Sequence, residues 1–189
     1  MAVDAFMTFK PYGKAELAAE SQVDFGKNST DEIGKPIVSL AGKVFEIDTY
    51  SFDIEQVLNI GSQSTGAGAG KVVFNPFSIT RKSDLASPML FQMACSGTPF
   101  EKVRLGLRKA SGGETSGVFF LRFDFKLVAV KSIKWNHGDE APTEDVEFEY
   151  GGLQVHYAQQ NADGSMKVIT PGGWNKVKNT ADIGDDPIK

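Results

Sequence analysis

Apolar and polar residues alternate most clearly between Val118 and Ile133. Phe119, Leu121, Phe123, Phe125 and Leu127 share one phase; Phe120, Arg122, Asp124 and Lys126 share the other, which predicts a half-buried strand. After Leu127 the phase blurs, because Val128, Ala129 and Val130 run together before Lys131. A bulge, or burial on both faces, accounts for that. From Phe45 to Ile54 the apolar set switches from Phe45 and Ile47 to Tyr50, Phe52 and Ile54, predicting a bend near Thr49. Val103, Leu105 and Leu107 alternate with Lys102, Arg104 and Arg108. Val146, Phe148 and Tyr150 alternate with acids, and after Gly151-Gly152 the pattern resumes at Leu153, Val155 and Tyr157. Bends and several strands at short intervals predict a mainly β fold: an antiparallel two-sheet β-barrel, closed or nearly so.

One α-helix completes the predicted fold. Ser87 can cap it, Pro88 suits its first turn, Leu90, Met93 and Ala94 line one face, and Gly97 follows at the natural stop. Cys95, near its end, reads as a small core residue. Residues 10–43 carry no sustained period, although a short helix fits Ala15–Ser21. The tail loses pattern after about Val177 and is expected to be flexible from about 178. Neither an internal repeat nor a domain-sized linker interrupts the chain, so residues 1–189 are read as one domain.

Composition narrows the partners. With 189 residues, 41% hydrophobic and 23% charged, the chain has the balance of an ordinary globular protein. A net charge of -4 argues against a duplex-binding surface, which needs clustered Lys and Arg. The single cysteine excludes an internal disulfide framework, and no apolar run reaches membrane-spanning length. Met1–Phe6 lacks the basic start and apolar middle of a secretory signal. The expectation is a cytoplasmic protein that leaves the cell, if at all, without a cleavable signal peptide.

Four patterns raise the question of chemistry. The run Gly61–Lys71, "GSQSTGAGAGK", invites comparison with a phosphate-binding loop, but the glycine required four residues before Gly70-Lys71 is Thr65, and the hydroxyl position is Val72. The dinucleotide pattern fails as well, because Lys71 stands where its third glycine belongs. His137 with Asp139, Glu140, Glu144 and Asp145 reads as a solvated acidic loop rather than a metal or acid–base site, since Gly138 and Pro142 leave nothing to hold the ligands rigid. A thiolate at Cys95 gains nothing from the negative end of its helix dipole, so a Cys–His nucleophile pair is not expected. His156 is out of phase with Leu153, Val155 and Tyr157, and so points to the opposite face with Gln154. The basic face of Lys102, Arg104 and Arg108 has no interleaved aromatics for nucleic acid. It suits either solvent or the acids of a neighbouring subunit. No catalytic residue, cofactor or metal site emerges.

Several segments in order carry a resemblance to one family: Ala2–Met7 with Glu20-Ser21, Ile47–Phe52, Gly66–Lys71, Phe77–Arg81, Ser87–Leu90, Met93–Gly97, Leu105–Ala110, Thr143–Val146, Val155–Tyr157 and Gly173–Asn175. Their order and spacing resemble the haemolysin-coregulated protein (Hcp) family, the tube subunits of type VI secretion systems. The resemblance implies rings of six subunits that stack into a hollow tube, driven by a contractile sheath behind a tip spike and carrying small effector proteins in the lumen. It implies secretion without membrane insertion, and no enzyme activity. A tube protein of a phage-like contractile particle and a free-standing ligand-binding barrel are the alternatives. Residues 22–43 look longer than the family's usual loop, and Phe25, Ile33, Pro36–Val38 and Leu40 are apolar enough to pack. Gly66, Gly68, Gly70 and Lys71, through their backbone, and the basic side chains of Lys102, Arg104 and Arg108 are the expected subunit-interface residues.

Overall fold

The computed structural model describes residues 3–25, 33–40, 42–59, 68–109, 117–138, 140–161 and 165–181. In chain order the elements are β1 (Val3–Pro11), α1 (Lys35–Val38), β2 (Phe45–Ile47), β3 (Thr49–Ser51), β4 (Ile54–Asn59), β5 (Gly68–Phe74), β6 (Phe77–Lys82), α2 (Ser87–Ser96), β7 (Phe100–Lys109), β8 (Val118–Asn136), β9 (Thr143–Glu149), β10 (Gly152–Gln160) and β11 (Met166–Asn175). The predicted long strands are β7, β8, β9 and β10. The single predicted helix becomes two, because Pro36 at the start of a short turn lets Ile37 bury itself. Ala15–Ser21 forms no helix. There the chain runs irregularly, held by backbone bonds from Leu17 to Phe9 and from Ala19 to Gly42.

All described strand pairs are antiparallel, and seven strands form one path, β2-β1-β7-β8-β9-β6-β3, from which β10 branches at β8 and carries β11 on its other edge. β8 joins two sheets. Its first half pairs with β7 and β10, whereas from Ala129 onward it pairs with β9. The corner is Leu127, with φ 53, opposite Tyr150-Gly151 where β9 turns into β10. Gly151 donates its N–H to the Lys126 carbonyl at 3.0 Å. The blurred phase after Leu127 is therefore a change of sheet.

The expected barrel does not close as a continuous ladder. Its two ends, β2 and β3, are consecutive pieces of chain separated only by Asp48. β2 pairs with β1 and β3 pairs with β6, so the bend falls at Asp48, whose N–H donates to Thr80 O at 2.9 Å. β4 and β5 form a separate two-stranded hairpin.

The main core fills the space between the two sheets. Phe9, Phe77, Phe125 and Phe148 are buried together, with Phe77 and Phe125 stacked at 4.3 Å between centroids. Each such side chain contributes roughly 1.5–3 kcal/mol by leaving water. Leu90 and Met93 are buried in this core, as the helical spacing predicts. Cys95 is not. Two residues beyond Met93 turn a helix by about 200°, which puts Cys95 on the exposed side of α2. Ser87 also differs from expectation: it is the first helical residue, and its Oγ accepts the Asp84 N–H at 3.0 Å instead of capping the turn. Gly97 ends the helix in the left-handed conformation, φ 66.

Candidate functional site and assembly surface

The far face of the β1-β7-β8-β10 sheet is also buried. From the stretch between β1 and β2, residues 23–25, 33–38 and 44 lie across it, and Phe6, Phe25, Ile33, Ile37, Val44, Phe119 and Ala158 make a second, smaller core. Phe6 and Phe25 meet edge to face at 5.1 Å. Gly106 in β7 is the seat: a Cβ there would collide with Ile37 Cδ1 and come within 3.0 Å of the Phe119 ring. Phe119 reaches this side because the β7–β8 register shifts between Leu107 and Arg108, reversing the phase read from sequence.

Charges sandwiched between the two layers pair with one another. Asp124 lies 3.0 Å from Arg122 Nε, 3.7 Å from Arg104 Nε and 3.2 Å from His156 Nε2. The covering segment joins in through backbone oxygens: Ile33 O accepts from Arg122 Nη1 at 2.9 Å and Pro36 O from Arg104 Nη1 at 3.5 Å. Burial pushes the Asp124 carboxyl up, but the bond from His156 and the charges of Arg122 and Arg104 outweigh it and hold the group below its ordinary value. Burial lowers Arg104, with Asp124 opposing the shift. Arg108 donates to Asp4 Oδ2 at 3.1 Å, and its guanidinium sits 4.8 Å above the Phe6 ring and 5.3 Å from Phe25. Arg104 and Arg108 are thus engaged within the subunit. Lys102 lies between Lys10 and Lys126 in register and is half-buried.

A second buried ion pair sits in the main core. Arg81 Nε donates to Glu144 Oε1 at 2.7 Å, and its two terminal nitrogens reach Asp84 at 3.2 and 2.8 Å. Glu144 also accepts from Trp135 Nε1 at 3.1 Å. Glu144 is therefore a fully buried clamp between β6, β8, β9 and the start of α2, not part of a solvated loop. Asp145, next to it, accepts from Thr80 and Asn136 at 2.7 and 2.8 Å. Among the described residues no three His, Cys, Asp or Glu side chains gather as a metal site.

Gly68, Gly70 and Lys71 lie in β5, so the end of the glycine run is a strand paired to β4. Gly66 lies outside the described residues. The hairpin exposes Ile54, Val57 and Val73.

The family described as "Type VI secretion system effector, Hcp" matches residues 34–157. Protein hcp1 of Pseudomonas aeruginosa strain PAO1 is 36% identical over 112 residues, 58% of this chain and 68% of that protein. The chain belongs to the Hcp family. Solved structures share the fold: one titled as a type six secretion system protein superposes with a TM-score of 0.73 at 22% identity, covering 95% of this chain and 99% of the other. Hcp1 from Salmonella typhimurium gives 0.61 at 22% identity, covering 95% and 99%. This Hcp protein is a tube subunit of a type VI secretion system, a secreted structural protein. No helix among its described residues is long and apolar enough to cross a membrane.

Sequence reasoning missed both buried ion clusters in this Hcp chain, although a signal was present. Arg81 shares the inward phase of Phe77 and Ile79, and Glu144 shares that of Val146 and Phe148. A basic residue and an acid at inward positions of two neighbouring strands are the mark of a buried pair.

Proposed function

We propose that this subunit forms rings of six that stack head to tail into the inner tube, with small effector proteins held in the lumen. The ring is thrust outward by a contractile sheath behind a tip spike, and the subunit's role is structural rather than catalytic. The family match across residues 34–157 is the observation that carries this reading. A one-chain ring needs a contact that closes by rotation, and stacking needs a second, open one. The β4–β5 hairpin, with Gly68, Gly70 and Lys71 in its second strand, is the proposed contact element. Arg104 and Arg108, engaged internally, hold the covering segment instead.

Light scattering and negative-stain microscopy of purified protein test the reading. Six-fold rings are expected, with release into culture supernatant only when the contractile apparatus is intact. A monomer at high concentration would refute the tube role.

A further inference from the structure

A ring closed by a head-to-tail contact needs two different surfaces on one chain that fit each other. Two clusters of exposed apolar side chains meet that requirement. The first surrounds α2: Phe91 is 49% and Trp135 50% exposed, their rings 6.0 Å apart, with Leu85 also 50% exposed. This knob is held in place, because the Trp135 indole N–H is fixed by Glu144 and Glu144 by Arg81. The second cluster is an apolar groove of about 220 Å³ between the β4–β5 hairpin and the β10–β11 pair. Ile54, Val72, Phe74, Leu153, Val155 and Trp174 line it, and Ile54 is 45% exposed.

The clusters lie at different stretches of β8, on either side of its corner, and share no residue. Leu153 pairs with Phe125 before the corner of β8, whereas Trp135 pairs with Glu144 near its other end. Roughly 30 Å of strand separates those positions at the usual rise per residue. Their surroundings differ in charge. Asp53 and Glu55 are exposed beside Ile54, with Lys71 further along the hairpin, while Lys14 borders the cleft beside Phe91 and Lys134, cross-strand from Asp145, is exposed next to Trp135. Soluble monomers seldom leave two such patches open.

Resting on the ring reading above, we propose that the Phe91–Trp135 knob of one subunit seats in the Ile54–Trp174 groove of a second copy. Lys14 and Lys134 then face Asp53 and Glu55 of that neighbour. Aromatic side chains in an apolar pocket, rimmed by opposite charges, carry the binding and its orientation.

Two surface variants test the pairing. Phe91→Asp and Ile54→Asp each remove one half of the contact, and unchanged circular dichroism and melting temperature check that each still folds. Alone, each loses the ring and runs as a monomer. Mixed in equal amounts they form a one-to-one heterodimer and nothing larger, because one intact knob and one intact groove remain. A ring from either variant, or a mixture that stays monomeric, overturns the pairing. The lone Cys95 on α2 gives a measurement that needs no disruptive change. With Ile54→Cys, a short bifunctional maleimide links neighbours into a ladder of up to six bands, and rings that give no ladder overturn the pairing. If the wild type itself is monomeric, the ring reading fails and the pairing with it; rings from wild type and variants alike remove the pairing only.

Discussion

Leu127 fills the space that a side chain at position 151 would need. A Cβ on Gly151 would stand 2.9 Å from Leu127 Cδ1 and 3.0 Å from its Cβ. Leu127 meanwhile holds φ 53, a conformation that residues with side chains seldom adopt. The two residues together make the corner at which β8 leaves one sheet for the other, and the Gly151 carbonyl fixes it further by accepting from Lys176 N–H at 2.8 Å.

Gly151→Ala should therefore destabilise the fold by about 1–3 kcal/mol through overpacking. Urea denaturation reads it as a lowered midpoint, and Leu127→Ala in the same chain should recover part of the loss. A Gly151→Ala protein as stable as wild type would show that the corner has room to spare.

Glu144→Ala leaves the Arg81 guanidinium buried with Asp84 as its remaining acid. The expected cost is about 3–5 kcal/mol, the range for breaking a buried pair from one side. Replacing both partners, Arg81→Met with Glu144→Leu, should restore most of it. Equal stabilities for the single and double variants in guanidinium denaturation would contradict this account.

Gly106→Val should unseat the covering segment by displacing Ile37 while leaving the main core in place. Trypsin has Lys43, followed by Val44, within reach on that segment, whereas the Lys35–Pro36 bond resists it. Overpacking of about 1–3 kcal/mol corresponds to cleavage there roughly 5- to 150-fold faster. Unchanged cleavage would mean that Ile37 is not what holds the segment down.

Asp124 has its folded-state pKa below the ordinary value of 3.8. The folded protein then binds fewer protons than the unfolded chain, so this group's contribution is complete above the ordinary value. It is lost as pH falls through the folded value. Stability measured from pH 5 downward should fall more steeply in wild type than in Asp124→Asn. Parallel slopes would remove Asp124 from the acid response.

The strands were legible because alternation survives in any sheet with a core on one side. Leu121 to Phe125, Val146 with Phe148, and Val103 to Leu107 needed nothing else. What covers the other face was not legible. His156, Arg122 and Asp124 sit on the polar phase, and it takes Phe25, Ile33, Ile37 and Val44, from a stretch with no period of its own, to turn that phase into a buried layer. Cys95 misled because residue type was weighed above helical angle. The end of the glycine run was silent for a different reason: Gly68 to Gly70 are backbone ladder in β5, and glycine carries no side chain by which to announce a strand.

The single residue between β2 and β3 has a mechanical meaning. A sheet with two independent edges can be unzipped from either one, a bond at a time. Here Asp48 ties the two ends of the path into one short cable, so tension on β2 is passed directly to β3 and to the opposite sheet. Pulled at that seam, β2 and β3 come under load together, and with them their partners β1 and β6.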